Sequence, residues 1–253
     1  MKDDIQVGVQ VQDFLRRMAM VERDLTHAVV EPRDAATLIL IDRSGSQPKV
    51  LLGRRHQDSK FMPGKFVFPG GRTEPLDRAM PAVSELHPDA QAKLMLRVQD
   101  ASPDFARGFP LAAVRETAEE TGLLLGVARD EPPATPGGLW EEFAKARVHP
   151  DLGQLYFVVR AVTPPGRHRR FDTRFFTTDA SSIAHRIEGV VGPQSELVEL
   201  VWVPLAEAET LDMPIVTGVV LDELANRVAA GMAHDLPVPM YYMDGGEFFR
   251  ELL

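Results

Sequence analysis

Residues 115–123, Arg-Glu-Thr-Ala-Glu-Glu-Thr-Gly-Leu, set three carboxylates on one face of a helix and stop that helix at a glycine. Gly122 suits a C-terminal stop because it takes a left-handed backbone without steric cost. At about 100° per residue, Glu116, Glu119 and Glu120 fall within about 100° of arc. Carboxylates at these spacings repel one another, and no lysine interleaves them on that face. Ala112, Ala113, Thr117 and Leu123 offer small or apolar positions for packing. A hard divalent cation accounts for such a cluster, since Mg²⁺ takes carboxylate oxygens and keeps several waters for a phosphate ligand. The plainer alternative is a solvated acidic face, because E-x-x-E-E alone is a common helical pattern.

The surrounding pattern bears on that choice. Phe68-Pro69-Gly70-Gly71 stands upstream, and six residues after Gly71 comes Asp77, with Glu74 between them. The two halves resemble the Nudix box, the signature of Mg²⁺-dependent hydrolases of nucleoside diphosphates linked to another moiety. In that signature the acidic residue precedes the arginine by about eight positions. Here the gap is 115 − 77 = 38, so about thirty residues interrupt the box.

The stretch before the box, LLGRRHQDSKFMPGKFVFPGG over residues 51–71, resembles the coenzyme A signature of one Nudix subgroup. Leu51, Leu52, Arg55, Gly64 and the FPGG run fall in register. Gly53, His56 and Lys60 depart from a threonine, a small residue and a second arginine. Lys60 keeps the charge without the planar fork of arginine. Together with the RFDTRFF run at 170–176, these motifs resemble a clade of coenzyme A and acyl-coenzyme A diphosphatases, over roughly residues 35–205.

Composition bounds the alternatives. A 253-residue chain with 44% hydrophobic residues can bury a sizeable core. A net charge of −9 argues against general nucleic-acid binding, which relies on a positive field. The absence of cysteine excludes disulfides, thiolate zinc sites and cysteine nucleophiles. The seven histidines contain no i, i+4 pair. The charged opening Met1-Lys2-Asp3-Asp4 and the lack of a long apolar run predict a cytoplasmic protein with no membrane partner.

Along the chain, apolar spacing predicts a packing or dimer-forming helix over 9–25, then strands at 35–42 and 49–55 joined by the Ser44-Gly45-Ser46 turn. Residues 78–108 are expected to form an insertion holding a short helix at 89–99, which either caps the site or elaborates the packing. Residues 130–138 read as a loop, 139–148 as a helix, 155–162 as a strand, 181–196 as a loop, 197–203 as a strand, and 214–231 as a closing helix. The basic run Arg167-His168-Arg169-Arg170 is either a phosphate contact or a solvated hairpin end. The aromatic tail, with Tyr241, Tyr242, Phe248 and Phe249, can pack or dimerise.

Periodicity alone gives α plus β. The resemblance implies a Nudix fold: an α/β protein with a mixed β-sheet in an α/β/α sandwich. The expected division is an N-terminal helical extension at 1–31 and a Nudix domain at 32–253. It implies Mg²⁺ (or Mn²⁺) held by Glu116, Glu119 and Glu120, with Arg115 pairing within the box and completing the catalytic set. Arg55, Lys60, Gly70, Gly71 and Arg170 are the expected substrate contacts. Glu119, Glu196 and Glu199 compete for the role of base. The implied partner is a small nucleotide: coenzyme A or its acyl derivatives, cut to 3′,5′-ADP and (acyl-)4′-phosphopantetheine. ADP-ribose or NADH is the second choice, a non-catalytic nucleotide sensor the third, and a homodimer is one possible assembly.

Overall fold

Strand β1 (Arg33–Asp42) sits in the middle of the sheet, and its side chains sort the whole interior. Alternate residues of a strand face opposite sides. Ala36, Leu38 and Leu40 enter one apolar cluster, whereas Ile39 and Ile41 enter a second on the other face. A strand buried on both faces requires cover on both sides, and that requirement gives three layers. The computed structural model describes residues 30–253, so the helix expected at 9–25 lies outside the described residues.

The strands that follow are β2 (Lys49–Arg55), β3 (Phe66–Val67), β4 (Gly70–Arg72), β5 (Leu123–Leu125), β6 (Val127–Ala128), β7 (Val148–His149), β8 (Tyr156–Val162), β9 (Phe171–Asp179), β10 (Ile183–Arg186), β11 (Leu197–Pro204), β12 (Pro239–Asp244) and β13 (Glu247–Leu252). The main sheet runs β11-β2-β1-β9-β8-β12-β13, with β3 on β2 and β4 on β1. It is mixed: β1 pairs with β9 and β8 with β12 in parallel, and the remaining pairs are antiparallel.

The described helices are α1 (Pro88–Met95), α2 (Pro103–Thr121), α3 (Trp140–Ala146) and α4 (Ile215–Ala229). The first three cover one face through Leu94, Phe109, Ala112, Trp140 and Phe143. The fourth covers the other through Val219, Val220, Leu221 and Leu224. The α/β/α sandwich expected from the sequence is therefore the observed architecture.

Three boundaries differ from expectation. The box helix begins at Pro103, inside the segment assigned to the insertion, and runs through Pro110. Its start is a good cap: the Ser102 hydroxyl accepts from the Phe105 N–H at 3.1 Å, and Pro103 takes the first helical position. An internal proline forfeits one backbone hydrogen bond, but Pro110 is buried among packing contacts that offset the loss. The insertion helix is shorter than expected, ending at Met95 rather than at 99. The loop expected at 181–196 contains β10, which pairs with β5.

The two ends of the insertion meet. Arg107 donates to the Arg78 carbonyl at 2.7 Å and pairs with Glu85, while Arg78 lies 3.6 Å from Asp104. Helix α1 buries Ala90 and Leu94 in the first cluster. Lys93 reaches the carbonyls of His234 and Leu236 at 2.9 and 2.7 Å. Arg160 of β8 ties down the segment after α1 through the Leu96 carbonyl at 2.8 Å. The insertion is thus a packing layer. Leu94→Ala should destabilise the protein by about 2–5 kcal/mol, as expected for a buried leucine. Urea denaturation of the full chain would measure it, and a loss below about 1 kcal/mol would mean that the insertion is not part of the core.

Candidate active site

The first half of the box arrives on β4 and the second on α2, and one buried ion pair joins them. Arg115 Nε donates to Asp77 Oδ1 at 2.7 Å and Arg115 Nη2 to Asp77 Oδ2 at 3.2 Å. Asp77 is 0% exposed and Arg115 4%. The same guanidinium donates to the Arg72 carbonyl at 2.8 Å, to Glu116 Oε1 at 2.9 Å and to Glu119 Oε2 at 3.3 Å. One side chain therefore holds the end of β4, the acid beyond it and two of the three helix carboxylates. The 38-residue separation in sequence is closed in space. Burial works against the Arg115 charge, but the hydrogen bond to Asp77 and the charges of Glu116 and Asp77 raise its pKa above the ordinary guanidinium value.

Strand β4 lies between β1 and the carboxylate face. Gly71 pairs with Ala36, and a Cβ placed on it would stand 2.5 Å from the Glu116 carboxylate. A side chain at Gly71 would push the Glu116 carboxylate out of this position. Gly70 donates its N–H to Glu120 Oε2 at 3.1 Å. At the far end of α2, Gly122 takes φ = 75°, so the helix stops where the sequence places the stop.

The carboxylates differ in setting. Glu119 is about half exposed. Burial drives the Glu116 pKa up to about 7, with Arg115 opposing and the Glu119 and Asp77 charges adding to the rise. Glu120, 7% exposed, is pushed well above the usual carboxylate range. Burial is the main cause, followed by the charges of Glu196 and Glu116, while the Gly70 N–H and Arg55 counteract it. Negative charge at this turn of α2 is thus under-compensated by the protein. Among the described residues, no group of three or more histidine, aspartate or glutamate side chains stands in an arrangement that could hold a metal ion. Arg115 draws Glu116 and Glu119 towards itself, and Glu120 leans on β4. The donor set, hard carboxylate oxygens with excess negative charge, fits a divalent metal.

Beside the carboxylates opens a cleft of about 650 Å³. Its wall includes Arg55 and Glu196, which pair at 3.0 Å and whose charges both reach Glu120. Arg55 also donates to the Phe61 carbonyl at 2.9 Å. Arg54 faces away and pairs with Glu199 at 2.8 Å. Of the two glutamates near β11, only Glu196 lines the cleft.

Arg115, Glu116, Glu119, Glu120, Gly70 and Gly71 converge, and Arg55 and Lys60 line the adjoining cleft. Arg170 does not join them. It is buried, donating to the carbonyls of Thr163 at 2.9 Å and Val30 at 2.6 Å, and so anchors backbone. The cleft residue from that basic run is its neighbour Arg169, which the sequence reading did not single out. The signal was the strand start at Phe171, since successive residues entering a strand face opposite ways.

Comparison with known proteins bears on this geometry. A Nudix hydrolase from Alicyclobacillus acidocaldarius is similar in structure: TM-score 0.57 and 30% identity, covering 77% of this chain and 91% of that one. The chain belongs to the Nudix hydrolase family. No family model matches it. Among curated proteins, the acyl-coenzyme A diphosphatase NUDT19 of Xenopus laevis is 26% identical over 178 residues, covering 52% of this chain and 47% of the relative. The chain therefore spans about half the length of that relative. Among the described residues, no helix is long and apolar enough to cross a membrane.

The buried pair joining the two half-boxes of this Nudix protein is testable directly. Asp77→Ala leaves Arg115 buried without its bidentate partner, which should cost about 3–5 kcal/mol. Chemical denaturation would measure the loss. An effect under about 1 kcal/mol would show that the box halves are joined by something else.

Proposed function

We propose that this Nudix protein is a Mg²⁺-dependent pyrophosphohydrolase whose substrate is coenzyme A or an acyl derivative, cut to 3′,5′-ADP and (acyl-)4′-phosphopantetheine. The observation that carries the reading is the reassembly of the interrupted box around Arg115, with the under-compensated carboxylates of Glu116 and Glu120 facing β4. The coenzyme A assignment is supported by the signature in 51–71 and by the name of the relative, an acyl-coenzyme A diphosphatase.

Glu116 and Glu120, one helical turn apart, and Glu119 beside them would hold the metal. A metal held by these residues would supply charge neutralisation of the diphosphate and a lowered pKa for a bound water. Arg115 acts as a positioning residue, fixing Glu116 and Glu119 relative to β4. Gly71 keeps the ground above Glu116 free of side chain. Arg55 and Lys60 present positive charge from the cleft to the substrate phosphates. Glu196 is the best placed of the three candidate bases, because it lines the cleft and its field reaches Glu120. In the reaction, water oxygen bonds to one phosphorus and the bridging P–O bond breaks. The other phosphate leaves with the bridging oxygen, and the water proton passes to the Glu196 carboxylate.

A panel of coenzyme A, acyl-coenzyme A, ADP-ribose and NADH, with products resolved by mass and with Mg²⁺ present or chelated, tests the reading. Release of 3′,5′-ADP from coenzyme A substrates, and only with metal, is expected. Preference for ADP-ribose or NADH would refute the coenzyme A assignment, and nucleotide binding without any product would refute the enzyme. Glu120→Gln should lower turnover by about a hundredfold or more. It should leave the fold intact, since glutamine still accepts from Gly70 and removes a buried charge.

The raised Glu116 pKa sets the sign of a pH effect. Without metal, its protonated form is favoured below about 7, so this group's contribution to stability is present at low pH and lost as pH rises through about 7. A cation must displace that proton. The gain in Tm on adding Mg²⁺ should therefore be larger at pH 8 than at pH 6. Equal shifts at both pH values in a thermal melt would exclude Glu116 from the metal site.

A further inference from the structure

The cleft beside the carboxylates is lined by three cations, Arg55, Lys60 and Arg169, and by the acids Asp58 and Glu196, and the cations are not equally available. Arg55 is held by Glu196 and by the Phe61 carbonyl. His56 lies 3.8 Å from Asp58. Lys60 and Arg169 also line the cleft, and among the described residues neither has a carboxylate or hydrogen-bond partner. They come from different elements, Lys60 from the loop after β2 and Arg169 from the turn before β9. The two elements are drawn together by Phe61 against Phe171, edge to face with ring centroids 6.4 Å apart. Phe61 itself is 36% exposed.

Two unpaired cations lining one cleft are suited to a dianion, and a guanidinium offers a fork matched to phosphate oxygens. Phe61, partly exposed in the same cleft, offers an aromatic face that can stack on a base. We propose that Lys60 and Arg169 form a subsite for a phosphate monoester on the ribose of the bound nucleotide, with Phe61 as the platform for its base. Arg169 is thereby the specificity-determining residue that distinguishes a 3′-phosphorylated adenosine diphosphate derivative from its dephosphorylated counterpart. Arg170, adjacent in sequence, cannot take this part because its guanidinium holds two backbone carbonyls. The inference deepens the coenzyme A reading and rests on it for the identity of the phosphate.

Binding of the nucleotide alone separates the two. Calorimetric titration of the full chain with 3′,5′-ADP and with 5′-AMP should show about a tenfold preference for 3′,5′-ADP, the scale of one charge-assisted contact at a partly exposed site. In Arg169→Ala the preference should fall below about twofold, and Arg169→Lys should restore part of it. The preference should also weaken as salt rises, because the pair is exposed to solvent. Equal affinity for the two nucleotides in the parent chain, or a preference that survives in Arg169→Ala, overturns the subsite. The coenzyme A reading has its own readout: the ratio of kcat/KM for coenzyme A to that for dephospho-coenzyme A. If coenzyme A is not hydrolysed while 3′,5′-ADP still binds better than 5′-AMP, the substrate assignment fails and the subsite stands.

Discussion

The contact between Arg115 and Asp77 organises the site. Each partner is too polar to be buried alone, and each is buried. A guanidinium facing one acid could be replaced by apolar packing with little loss of stability. Arg115 faces more than one: it also draws in two helix carboxylates and a strand carbonyl. Its value lies in placement, because it fixes which way Glu116 and Glu119 lie relative to β4. Gly71 completes the arrangement from the strand side by having nothing in the way.

The remaining charge is divided by function and by depth. Arg160, Arg170 and Arg174 are buried and hold the sheet together through Asp172, Asp34 and backbone carbonyls. Arg174 lies over the Phe109 ring at 4.0 Å, so the sheet meets the box helix through a cation on an aromatic face. The exposed cations Lys60 and Arg169 lie at the cleft. Within an acidic chain, these two cations and Arg55 gather on the wall of one cleft.

Much of this was legible in the sequence. The stop at Gly122, the strand at 35–42 and the closing helix follow from local rules that tertiary packing did not override. The helix start at Ser102 was equally local, with Ser-Pro-Asp as its signal. It was missed because Pro103 reads as punctuation when a helix is not expected there. Strand β10 lacks a strong pattern, since its pairing with the apolar β5 depends on a partner sixty residues away in the chain. The difference between Arg169 and Arg170 is also tertiary: adjacent arginines look alike until a carbonyl such as that of Val30 is found within reach of one of them.

The meeting of Arg78 with Asp104 and Arg107 bears on how such a chain can diversify. A segment whose ends are already clasped presents a nearly fixed boundary to the rest of the molecule. Lengthening it then costs little, about 0.6 kcal/mol for each doubling of a flexible loop. The exposed stretch after α1, around residues 99–100, can therefore accept added residues, whereas loss of the whole segment would uncover the core that Ala90 and Leu94 fill.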